Sequence, residues 1–514
     1  MFSSIESVNI LTALLLKRGV KHVVVCPGSR NAPLVHNFNE CREFVCHPVT
    51  DERSAGFIAL GLAQHSESPV AVCVTSGSAI LNLAPAVAEA AYQHYPIIVI
   101  SADRPSYDLD RLQGQTIHQR NALAPFTSVS VSLPDPESAD IRCQSAVLIN
   151  KALLALNNAD GRPVHINIPL PNTGLYSFDV AELPDVTLVE YVRNMQIMVP
   201  VMKKAKRIVL VLAQQHPFDA TPFHSLFGNI SLLAEPLAAQ HLPYTITDEQ
   251  LAELNKHDIE DIAPDLIIYL GGNTISKLLR QTLVRISASC PVMMVNPSLT
   301  LEDVTTHTTH LVHTDNITFL DFLSKSITCD HSHPLYPKSN RQPAKITKVG
   351  GLVAEFEKHV NPDKDIVYYA NSTAVRLAAI HARHYVFCNR GINGIEGSLS
   401  TAVGAALAEP DKTVYCVIGD LSFFYDQNAL WQANRPDNLR ILLINSGGGE
   451  IFRSLPGATS SPAYQMIAGE HHLTAEHVCR QYGIRHINYE DVSSMNDFVL
   501  SNSLTILEYN ICGQ

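Results

Sequence analysis

Short runs of β-branched and apolar residues alternate along the whole chain with longer stretches of helical spacing, and this alternation limits the possible folds. In the first part of the chain such runs stand at 22–26, 70–74, 97–101 and 164–168, and a helical pattern at 81–93 separates two of them. A parallel pair of strands needs a long crossover, which a helix supplies. The sequence therefore predicts an α/β protein made of doubly wound parallel sheets.

The same alternation continues towards the C-terminus. Further strands are predicted at 207–213, 266–272, 290–297, 365–372, 384–391, 413–420, 440–449 and 504–511. Open parallel sheets bind their ligands outside the carboxyl ends of the strands. Polar residues that directly follow these runs are therefore the first candidates for a functional site.

Two interruptions of the pattern suggest domain boundaries. The 514 residues suffice for about three domains of ordinary size. A stretch rich in proline and acidic residues lies near 175–190, and a polar, proline-bearing stretch lies at about 330–345. We therefore predict a first domain at 1–180, a central domain at 190–330 and a third domain at 345–514, with a linker between the last two.

The composition limits the classes of function. Hydrophobic residues make up 46% of the chain and charged residues 17%, as in ordinary globular proteins, and no apolar run approaches the roughly 20 residues that cross a bilayer. The formal net charge of -12, without a basic cluster, argues against nucleic acid as the main partner. The N-terminus lacks the features of a signal peptide and the 11 cysteines include no C-x-x-C pair, so we expect a cytoplasmic protein in a reducing compartment.

One carboxylate stands where an apolar run of the third block ends. Asp420 follows Gly419, and Ser446 with its three glycines follows the next run. Carboxylate, hydroxyl and backbone oxygens suit a Mg²⁺ ion that bridges a diphosphate, and glycine lets the backbone approach phosphates closely. Alternatively, Asp420 is only a helix cap and the glycines form an ordinary turn. The spacing by itself fits both interpretations.

Other common sites lack their sequence patterns. No G-x-G-x-x-G fingerprint follows a predicted strand, and the GGGEIF stretch at 447–452 lacks the G-K-[ST] ending of a P-loop. NAD binding and ATP hydrolysis are therefore disfavoured. The histidines near 470–477 have neither C-x-x-C nor H-E-x-x-H spacing, which favours a solvated loop over a zinc site.

Six motifs occur in order in the first and third blocks. They are PGSRNAPL (27–34), TDERSAGF (50–57), SADRP (101–105), NRGINGIEG (389–397), GDLSFFYDQNAL (419–430) and GGGEIF (447–452). Together they resemble the thiamine-diphosphate-dependent decarboxylases and carboligases, whose diphosphate motif G-D-G, a spacer and N-N reads G-D-L-S, a spacer and N-S-G-G-G here. More narrowly, the chain is similar to the 2-succinyl-5-enolpyruvyl-6-hydroxy-3-cyclohexene-1-carboxylate synthases, the MenD family, although the match in the middle block is thin.

The resemblance implies a transferase with a pyrimidine-binding, a central and a diphosphate-binding domain. It implies that thiamine diphosphate and Mg²⁺, or Mn²⁺, bind between the first domain of one chain and the third domain of another, so that a homodimer or homotetramer is active. The implied reaction decarboxylates 2-oxoglutarate and adds the resulting carbanion to isochorismate, in menaquinone biosynthesis. No nucleic acid and no membrane insertion are implied.

The resemblance also assigns roles to individual residues. Glu52 matches the catalytic acid that holds the ring nitrogen of the cofactor, and Ile395 matches the apolar residue that keeps the cofactor bent. Further cofactor contacts are Ser76, Gly77, Gly419, Asp420, Leu421 and Ser422, and the metal ligands are Asp420, Ser446 and the backbone carbonyl of Gly448. Isochorismate contacts are Ser29, Arg30, Arg104, Gln115 and Lys277, and contacts to the part derived from 2-oxoglutarate are Ser372, Arg376 and Arg390.

Each of these assignments has an ordinary structural alternative. Glu52 could be a capping acid, Ile395 a core isoleucine, and each arginine a surface charge. For Ser446, the alternative is that it only caps the turn while a water fills its place at the metal. The family pattern also fails at two positions: Leu278 replaces a second basic residue of some relatives, and Gly114 replaces an asparagine. Both affect the expected contacts to isochorismate and leave the reaction class unchanged.

Two other functions fit parts of the pattern. One is another carboligase with the same cofactor, such as an acetolactate synthase, which needs smaller and less cationic substrate contacts. The other is a catalytically silent regulatory subunit, which such families can produce by losing the activating acid. The presence of Glu52 and Asp420 argues against the silent subunit.

Overall fold

Parallel sheets with helices between their strands form the protein, as the alternation in the sequence predicts. The computed structural model describes residues 1–157, 161–298, 300–327, 347–432 and 434–511. The linker predicted at about 330–345 lies outside these described residues. Across the described ranges the strands form three sheets, of six, six and five strands.

The first sheet has the strand order β2-β1-β3-β4-β6-β5, with all neighbours parallel. Its strands are β1 (His22–Val25), β2 (Val45–Pro48), β3 (Val70–Val74), β4 (Ile97–Asp103), β5 (Val129–Ser132) and β6 (Val164–Pro169). Its helices are α1 (Glu6–Lys17), α2 (Ala32–Glu40), α3 (Glu52–His65), α4 (Ala79–Asn82), α5 (Ala84–Tyr92) and α6 (Ile141–Ala155). The central strands β3 and β4 are buried along their whole length. β3 and the first four residues of β4 are continuous apolar runs because helices cover both faces of the sheet, whereas the end of β4 carries the polar Ser101 and Asp103.

Successive residues of β1 point to opposite faces of the first sheet. Val23 and Val25 lie in the same hydrophobic cluster as Leu11 of α1, whereas Val24 lies in a second cluster with Ala59 of α3. This alternation is the period of two expected for a strand. The sheet is therefore fixed by a core on each side, which holds the loops at its carboxyl edge.

The second sheet has the strand order β7-β12-β11-β10-β8-β9. Its strands are β7 (Glu190–Val192), β8 (Ile208–Leu212), β9 (Ser231–Ala234), β10 (Leu266–Leu270), β11 (Val292–Val295) and β12 (His310–Val312). Its helices are α7 (Val199–Lys204), α8 (His224–Asn229), α9 (Asp248–Leu254), α10 (Ile259–Ile262), α11 (Lys277–Ser287) and α12 (Asn316–Ser326). The runs predicted at 207–213, 266–272 and 290–297 correspond to β8, β10 and β11.

The third sheet has the strand order β13-β14-β15-β17-β16, again parallel. Its strands are β13 (Asp365–Tyr369), β14 (Thr413–Gly419), β15 (Leu439–Asn445), β16 (Arg485–Asn488) and β17 (Thr505–Asn510). Its helices are α13 (Lys348–Glu357), α14 (Thr373–His381), α15 (Ser398–Ala408), α16 (Asp420–Asp426), α17 (Tyr464–Ala468), α18 (Ala475–Tyr482) and α19 (Val492–Val499).

The strand predicted at 384–391 is wrong as a full strand. Phe387 forms only an isolated bridge with Tyr368, in which the N–H of Tyr369 donates to the Phe387 carbonyl at 2.9 Å. The chain then leaves the sheet, because Asn389 and Arg390 are polar and their groups bond to other loops.

The described residues cluster into two compact units. The first unit comprises Met1–Met198 with Pro291–Asn316, and the second comprises Val199–Cys290 with Ile317–Gln514. The three-domain division predicted from the sequence therefore stays a prediction. No helix in the described part of the chain is long and apolar enough to cross a membrane. The nine cysteines of the described residues are all free.

Candidate active site

In the first unit, the turn after β1 lies against the turn after β3, at the carboxyl edge of the first sheet. A Cβ atom added to Gly28 would lie 2.4 Å from the Cβ atom of Thr75, so only glycine allows this close approach. Ser29 and Arg30 follow in the same turn; Ser29 is exposed and Arg30 is buried. Gly28 of the PGSRN motif thus determines the position of the turn that carries Ser29 and Arg30.

Glu52 is the first residue of α3 and is not its cap. The cap is Asp51, whose carboxylate accepts from the backbone N–H of Arg53 at 3.1 Å and from Ser54 Oγ at 2.8 Å. The hydrogen bond from Ser54 and that from Arg53 hold the pKa of Asp51 below its ordinary value. The capping alternative for Glu52 is therefore wrong.

The Glu52 side chain is half-buried and faces neighbouring turns. Its Oε2 lies 3.5 Å from the amide nitrogen of Asn82, which donates to it. Burial, followed by the negative charges of Glu52 and Asp51, raises the pKa of Cys26 to about 12. Because Cys26 directly follows β1, this coupling indicates that Glu52 lies near the end of that strand.

Gly77 has a conformation that few other residues adopt, and it contacts a second predicted residue. Its φ is +83°, and a Cβ atom there would lie 3.1 Å from the Cα atom of Gln115, which itself has a φ of +56°. The N–H of Gly77 donates to Gln119 Oε1 at 2.7 Å. Gln119 is 1% exposed and donates in turn to Asn167 Oδ1 at 2.9 Å. Ser76, beside Gly77, is also buried. Gly77 is thus held by a buried polar network that the sequence did not reveal.

Arg30 and Arg104 share one amide. Arg30 donates to the carbonyls of Leu170 and Pro171 at 3.2 and 2.8 Å and to Asn172 Oδ1 at 3.0 Å. Arg104 donates to the same Asn172 oxygen at 3.3 Å. Burial and the charge of Arg104 lower the pKa of Arg30. Arg30 is only 7% exposed, so the surface-charge alternative is wrong for it.

The position of Gly114 explains one departure from the family pattern. Arg104 Nε donates to the Gly114 carbonyl at 3.0 Å, and Gln115 follows with its side chain exposed. A backbone oxygen at this position therefore orients Arg104, whereas a side-chain contact from residue 114 is excluded by the absence of a side chain on glycine.

In the second unit, Asp420, Ser446 and Gly448 place three oxygens close together. Asp420 Oδ2 lies 3.3 Å from Ser446 Oγ, and Ser446 Oγ lies 2.8 Å from the Gly448 carbonyl oxygen. Neighbouring ligands about 2.1 Å from an octahedral Mg²⁺ lie about 3 Å apart, so each of these two distances fits a pair of neighbouring ligands. Asp420 is 3% exposed and Ser446 is 6% exposed. The donor set therefore fits a hard divalent cation.

The backbone of the loop after β15 is shaped around the Asp420 carboxylate. The N–H groups of Ser446 and Gly448 each donate to Asp420 Oδ2 at 2.9 Å, and the N–H of Leu421 donates to Oδ1 at 2.7 Å. Gly448 has a φ of +146°, and a Cβ atom there would lie 3.1 Å from the Ala468 carbonyl. Asp420 is the first residue of α16, whose N-cap is Gly419, so the helix-cap alternative is wrong. Its carboxylate instead holds a loop 26 to 28 residues away.

Asn445 supports the loop after β15 through two hydrogen bonds of its side chain. Its Oδ1 accepts from the N–H of Gly447 at 3.1 Å, and its Nδ2 donates to Glu508 Oε1 at 2.7 Å. Glu508 is 1% exposed and also accepts from His486 Nε2 at 2.8 Å. Burial opposes the ionisation of Glu508, but these hydrogen bonds leave its pKa below the ordinary value. Asn445 is thus a structural neighbour of the oxygen cluster, one residue before the predicted ligand.

His471 lies beside Asp420, against the sequence prediction for this stretch. Its Nε2 is 3.5 Å from Asp420 Oδ2 and its side chain is 13% exposed, so the solvated-loop prediction is wrong for this residue. Glu470, His472 and His477 are exposed, but His477 lies in α18, so the loop prediction is wrong for it as well. Among the described residues, no group of three or more His, Cys, Asp or Glu side chains could hold a metal ion.

Asn371 links two of the predicted contacts of the 2-oxoglutarate-derived part, because it binds Arg390 and directly precedes Ser372. Asn371 Oδ1 accepts from Arg390 Nη1 at 3.2 Å, and Nδ2 donates to the carbonyls of Asn389 and Gly394 at 2.8 and 2.6 Å. The next residue, Ser372, has a φ of +71°, a strained conformation for a residue with a side chain. The amide of Asn371 therefore connects the start of α14 with the loop that carries Arg390 and Ile395.

A second cation lies near Arg390. Arg390 Nη2 donates to the Thr274 carbonyl at 2.7 Å. Burial lowers the pKa of Arg390, and the positive charge of the exposed Arg376 lowers it further. Lys277, the first residue of α11, is exposed three residues after Thr274. These cations give the second unit a positively charged edge beside its loops.

Ile395 is not a core residue. Its side chain is 40% exposed, and its carbonyl accepts a hydrogen bond from Ser422 Oγ. Ser422 is 5% exposed and stands in the first turn of α16, two residues after Asp420, with Gly419 and Leu421 on the same turn. The predicted wedge residue is therefore tied directly to the segment that carries the predicted diphosphate residues.

Two family profiles match the chain. The profile of the N-terminal TPP binding domain of thiamine pyrophosphate enzymes matches residues 6–123, and that of the C-terminal TPP binding domain matches residues 369–499. Thiamine pyrophosphate and thiamine diphosphate are the same compound. The first range contains Glu52 and the second contains Asp420.

Curated relatives match nearly the full chain. A protein of Phocaeicola vulgatus is 37% identical, with 93% of this chain and 89% of its own length covered. Proteins of Bacteroides thetaiotaomicron (36% identical; 96% and 92% covered) and Desulfotalea psychrophila (34% identical; 91% and 90% covered) are similar in the same way. All three are named 2-succinyl-5-enolpyruvyl-6-hydroxy-3-cyclohexene-1-carboxylate synthase. The chain belongs to the MenD family.

Membership of the MenD family confirms three predictions from the sequence. The protein is a thiamine-diphosphate-dependent enzyme, its fold is α/β, and its motifs identify the family correctly. The relatives also cover the middle block, where the sequence motifs were thin. The roles of individual residues stay predictions, because the profiles and the names of the relatives do not identify individual contacts.

Proposed function

We propose that this MenD-family enzyme decarboxylates 2-oxoglutarate and adds the resulting carbanion to isochorismate, giving 2-succinyl-5-enolpyruvyl-6-hydroxy-3-cyclohexene-1-carboxylate in menaquinone biosynthesis. The observation that carries the proposal is the setting of Arg390. Its guanidinium is half-buried, oriented by Thr274 and Asn371, and it stands in the unit that carries the Asp420 oxygen cluster. A fixed guanidinium binds a carboxylate with two parallel hydrogen bonds, which suits a dicarboxylate donor.

The Asp420 cluster would hold Mg²⁺ or Mn²⁺ together with the cofactor diphosphate. Asp420 Oδ2, Ser446 Oγ and the Gly448 carbonyl would be the protein ligands, and the distances of 3.3 and 2.8 Å from Ser446 Oγ to the other two oxygens support this. Ser446 would replace the asparagine that the family pattern has at this position. Gly419, Leu421 and Ser422 would contact the diphosphate from the first turn of α16.

Thiamine diphosphate, when bound, supplies the carbon nucleophile and the electron sink for decarboxylation. In this proposal Glu52 holds a proton at the ring nitrogen of the pyrimidine. The side chain is suited to this because Asp51 caps α3 in its place and Asn82 contacts it from the neighbouring turn. Ser76 and Gly77 would contact the pyrimidine part, and Ile395 would keep the cofactor bent.

The remaining assignments concern the two anionic substrates. Ser372, Arg376 and Arg390 would bind the carboxylates of the 2-oxoglutarate-derived part. Ser29, Arg30, Arg104, Gln115 and Lys277 would bind isochorismate. Arg30 uses three of the five N–H donors of its side chain within the protein, which leaves two for the substrate. We propose that its main effect is to orient Asn172, and through it Arg104.

We further propose a homodimer or homotetramer with active sites between chains, in the cytoplasm. Apolar side chains stand exposed near Glu52: Phe57 and Ile58 on α3 are each 43% exposed, and Leu81 on α4 is 49% exposed. A second chain that covered them would remove this apolar surface from water. No nucleic-acid partner and no membrane insertion are part of the proposal.

The two alternatives fit the site less well. An acetolactate synthase acts on small monocarboxylates, whereas the paired cations Arg376 and Arg390 favour a donor with two carboxylates. Glu52 is an acid that does not cap α3, because Asp51 does. A silent regulatory subunit would not require such an acid. Both alternatives remain distinguishable by turnover.

The test is an incubation of the purified protein with thiamine diphosphate, Mg²⁺, 2-oxoglutarate and isochorismate, with isochorismate followed by its absorbance. We expect isochorismate consumption that requires all four additions. Consumption with pyruvate in place of 2-oxoglutarate, at an equal or higher rate, would assign the protein to the other carboligases. No consumption with either donor would support the silent subunit.

A further inference from the structure

Glu235 is a buried acid that the proposed reaction does not use. It directly follows β9 and is 1% exposed. Its two carboxylate oxygens accept from the backbone N–H groups of Ile275 at 2.6 Å and Ser276 at 2.8 Å. One side chain thus binds two successive N–H groups in a turn 40 residues away.

The turn that Glu235 holds carries contacts on both of its sides. On one side, the Thr274 carbonyl accepts from Arg390 Nη2 at 2.7 Å. On the other side, Lys277 begins α11. The position of Glu235 therefore affects both a predicted contact of the 2-oxoglutarate-derived part and a predicted contact of isochorismate.

Capping of α11 does not account for Glu235. Ser276 is already the N-cap, because its Oγ accepts from the N–H of Leu279 at 2.9 Å. Asp248 supports this cap by accepting from Ser276 Oγ. The carboxylate of Glu235 instead fixes the backbone one step earlier, where the Thr274 carbonyl points to Arg390.

Keeping an acid at this place has a cost that an apolar residue would avoid. Burial raises the pKa of Glu235 to about 7, although the N–H groups of Ile275 and Ser276 and the charge of Arg390 act in the opposite direction. A buried carboxylate is tolerated only where hydrogen bonds compensate the loss of water. A carboxylate that accepts from two N–H groups also fixes the orientation of the turn, which an apolar side chain cannot do.

We propose that Glu235 is a positioning residue that fixes residues 274–277 and thereby sets Arg390 and Lys277 at one constant separation. This inference rests on the proposed function for the roles of Arg390 and Lys277, and on the observed contacts for the rest. A turn that moves would shift both substrate contacts together. Loss of Glu235 therefore weakens the binding of both substrates, while cofactor binding at the Asp420 cluster continues.

The test variant is Glu235→Gln, which keeps the shape but has a single acceptor oxygen, so it loses one of the two N–H bonds. The matched control is Glu357→Gln in the same unit. Glu357 is also a buried acid, which accepts from Tyr369 Oη at 2.5 Å and His384 Nε2 at 2.9 Å, away from the turn. Both variants lose a hydrogen bond to a buried carboxylate, and only one of them touches residues 274–277.

Two measurements decide the matter. Hydrogen–deuterium exchange followed by mass spectrometry should show exchange at residues 271–279 faster by about tenfold in Glu235→Gln and unchanged in Glu357→Gln, since tenfold corresponds to about 1.4 kcal/mol, close to the usual value of one lost hydrogen bond. The KM values for 2-oxoglutarate and isochorismate should both rise by about tenfold, with the Kd of thiamine diphosphate unchanged. A merely structural role would lower the melting temperature in both variants and leave both KM values unchanged.

Each outcome has a consequence. Unchanged exchange at 271–279 overturns the inference whatever the activity. Faster exchange with unchanged KM values also overturns it, because the turn then moves without affecting the substrates. A wild-type enzyme that turns over neither substrate overturns the proposed function, and the exchange result still decides whether Glu235 fixes the turn. If Glu235→Gln does not fold, Glu235→Asp, which keeps the charge but is one methylene shorter, is measured in its place with the same expected directions.

Discussion

In the first unit, side-chain amides orient the predicted site residues. Asn172 accepts from both Arg30 and Arg104, and Gln119 accepts from the N–H of Gly77. In the second unit, buried carboxylates do most of this work. Asp420 accepts from the N–H of Ser446 and of Gly448, and Glu235 accepts from two N–H groups before α11. Asn371, which holds Arg390, is the exception in the second unit.

The difference has a physical consequence. An amide both donates and accepts, and it keeps its hydrogen bonds at every ordinary pH. A carboxylate accepts several N–H groups at once and adds a negative charge, but it titrates and resists burial. We therefore expect the second unit to depend on pH and on the divalent metal. In the first unit the amide contacts themselves do not titrate, and a pH dependence enters through Asp103, whose pKa burial raises to about 6 and which accepts from Asn167 Nδ2 at 2.9 Å.

The largest expected effect is that of Asp420→Ala. Removal of the carboxylate takes away both a metal ligand and the acceptor that shapes the loop of Ser446 and Gly448, so metal-dependent binding of thiamine diphosphate should be abolished. Calorimetric titration of thiamine diphosphate at several Mg²⁺ concentrations measures this. The companion variant Ser446→Ala should bind the cofactor but require more Mg²⁺. An unchanged Mg²⁺ requirement in Ser446→Ala would remove its hydroxyl from the metal site, and an unchanged one in Asp420→Ala would overturn the site itself.

The next effect is expected in the first unit. Glu52→Gln should keep the fold and the binding of thiamine diphosphate but lose turnover by roughly 10² to 10⁴, the usual contribution of general acid–base assistance. Steady-state kinetics and calorimetry together separate rate from binding. Asp51→Asn serves as the control, because it removes the charge at the helix cap and leaves Glu52 in place. Near-normal turnover in Glu52→Gln would contradict the role of this acid.

Arg390→Ala tests the cationic edge of the second unit. The loss of a half-buried guanidinium should lower kcat/KM for 2-oxoglutarate, because the substrate carboxylate is left without its partner. The expected loss of transition-state stabilisation is roughly 2–5 kcal/mol. The value for isochorismate at saturating 2-oxoglutarate should change much less. Equal losses for both substrates would indicate a general disturbance of the loop that Asn371 holds instead of a specific contact.

A pH prediction follows from Glu235. Its pKa is raised from 4.5 to about 7 by burial, with Asp248 and Arg390 as the charges that act on it. Below about pH 4.5 the group is protonated in both the folded and the unfolded chain, and as pH rises the unfolded chain ionises first. The stabilisation present at low pH is therefore lost as pH rises through about 7, by about 3 kcal/mol in total, since one pKa unit corresponds to about 1.4 kcal/mol.

Urea denaturation of the wild type and of Glu235→Gln at a series of pH values measures this loss. The variant does not titrate at this position, so its free energy of unfolding should fall less than that of the wild type between about pH 5 and pH 8. Parallel curves for the two proteins would show that Glu235 ionises normally in the folded chain.

The smallest expected effect concerns an amide of the first unit. Asn172→Ala removes the oxygen shared by Arg30 and Arg104, which should raise the KM for isochorismate by up to about 30-fold, in keeping with ~1 kcal/mol for each of the two hydrogen bonds lost. The KM for 2-oxoglutarate should stay the same. The effect should also be similar at pH 7 and pH 8, because an amide does not titrate and Asp103 of the same unit, with a pKa of about 6, is mostly ionised at both. A strong pH dependence would remove the contrast between the two units.

Sequence patterns predicted the fully buried strands better than the edge strands. β3 and the first four residues of β4 are continuous apolar runs because both faces are covered. The strands β2 and β16 lie at sheet edges, are half exposed and carry polar residues, so their runs did not stand out. The strand predicted at 384–391 was wrong for a different reason. Its first part is apolar, but its polar end forms hydrogen bonds to loops and leaves the sheet.

The predicted site residues came from motifs in continuous stretches of sequence. The residues that orient them were missed, because each acts over a long distance along the chain. Asn172 meets Arg30 across 142 residues, and Glu235 meets Ile275 across 40. Periodicity and local spacing contain no information about such pairs. Asn371 could have been identified most easily, because it lies just after β13 and directly before the predicted contact Ser372.

The most direct test of the proposed function is the ratio of kcat/KM for 2-oxoglutarate to that for pyruvate, measured on the wild-type enzyme with isochorismate, thiamine diphosphate and Mg²⁺. We expect a ratio of at least about 30 in favour of 2-oxoglutarate, which corresponds to the lower bound of ~2 kcal/mol for a desolvated charge pair at Arg390. A ratio near one, or a preference for pyruvate, would contradict it.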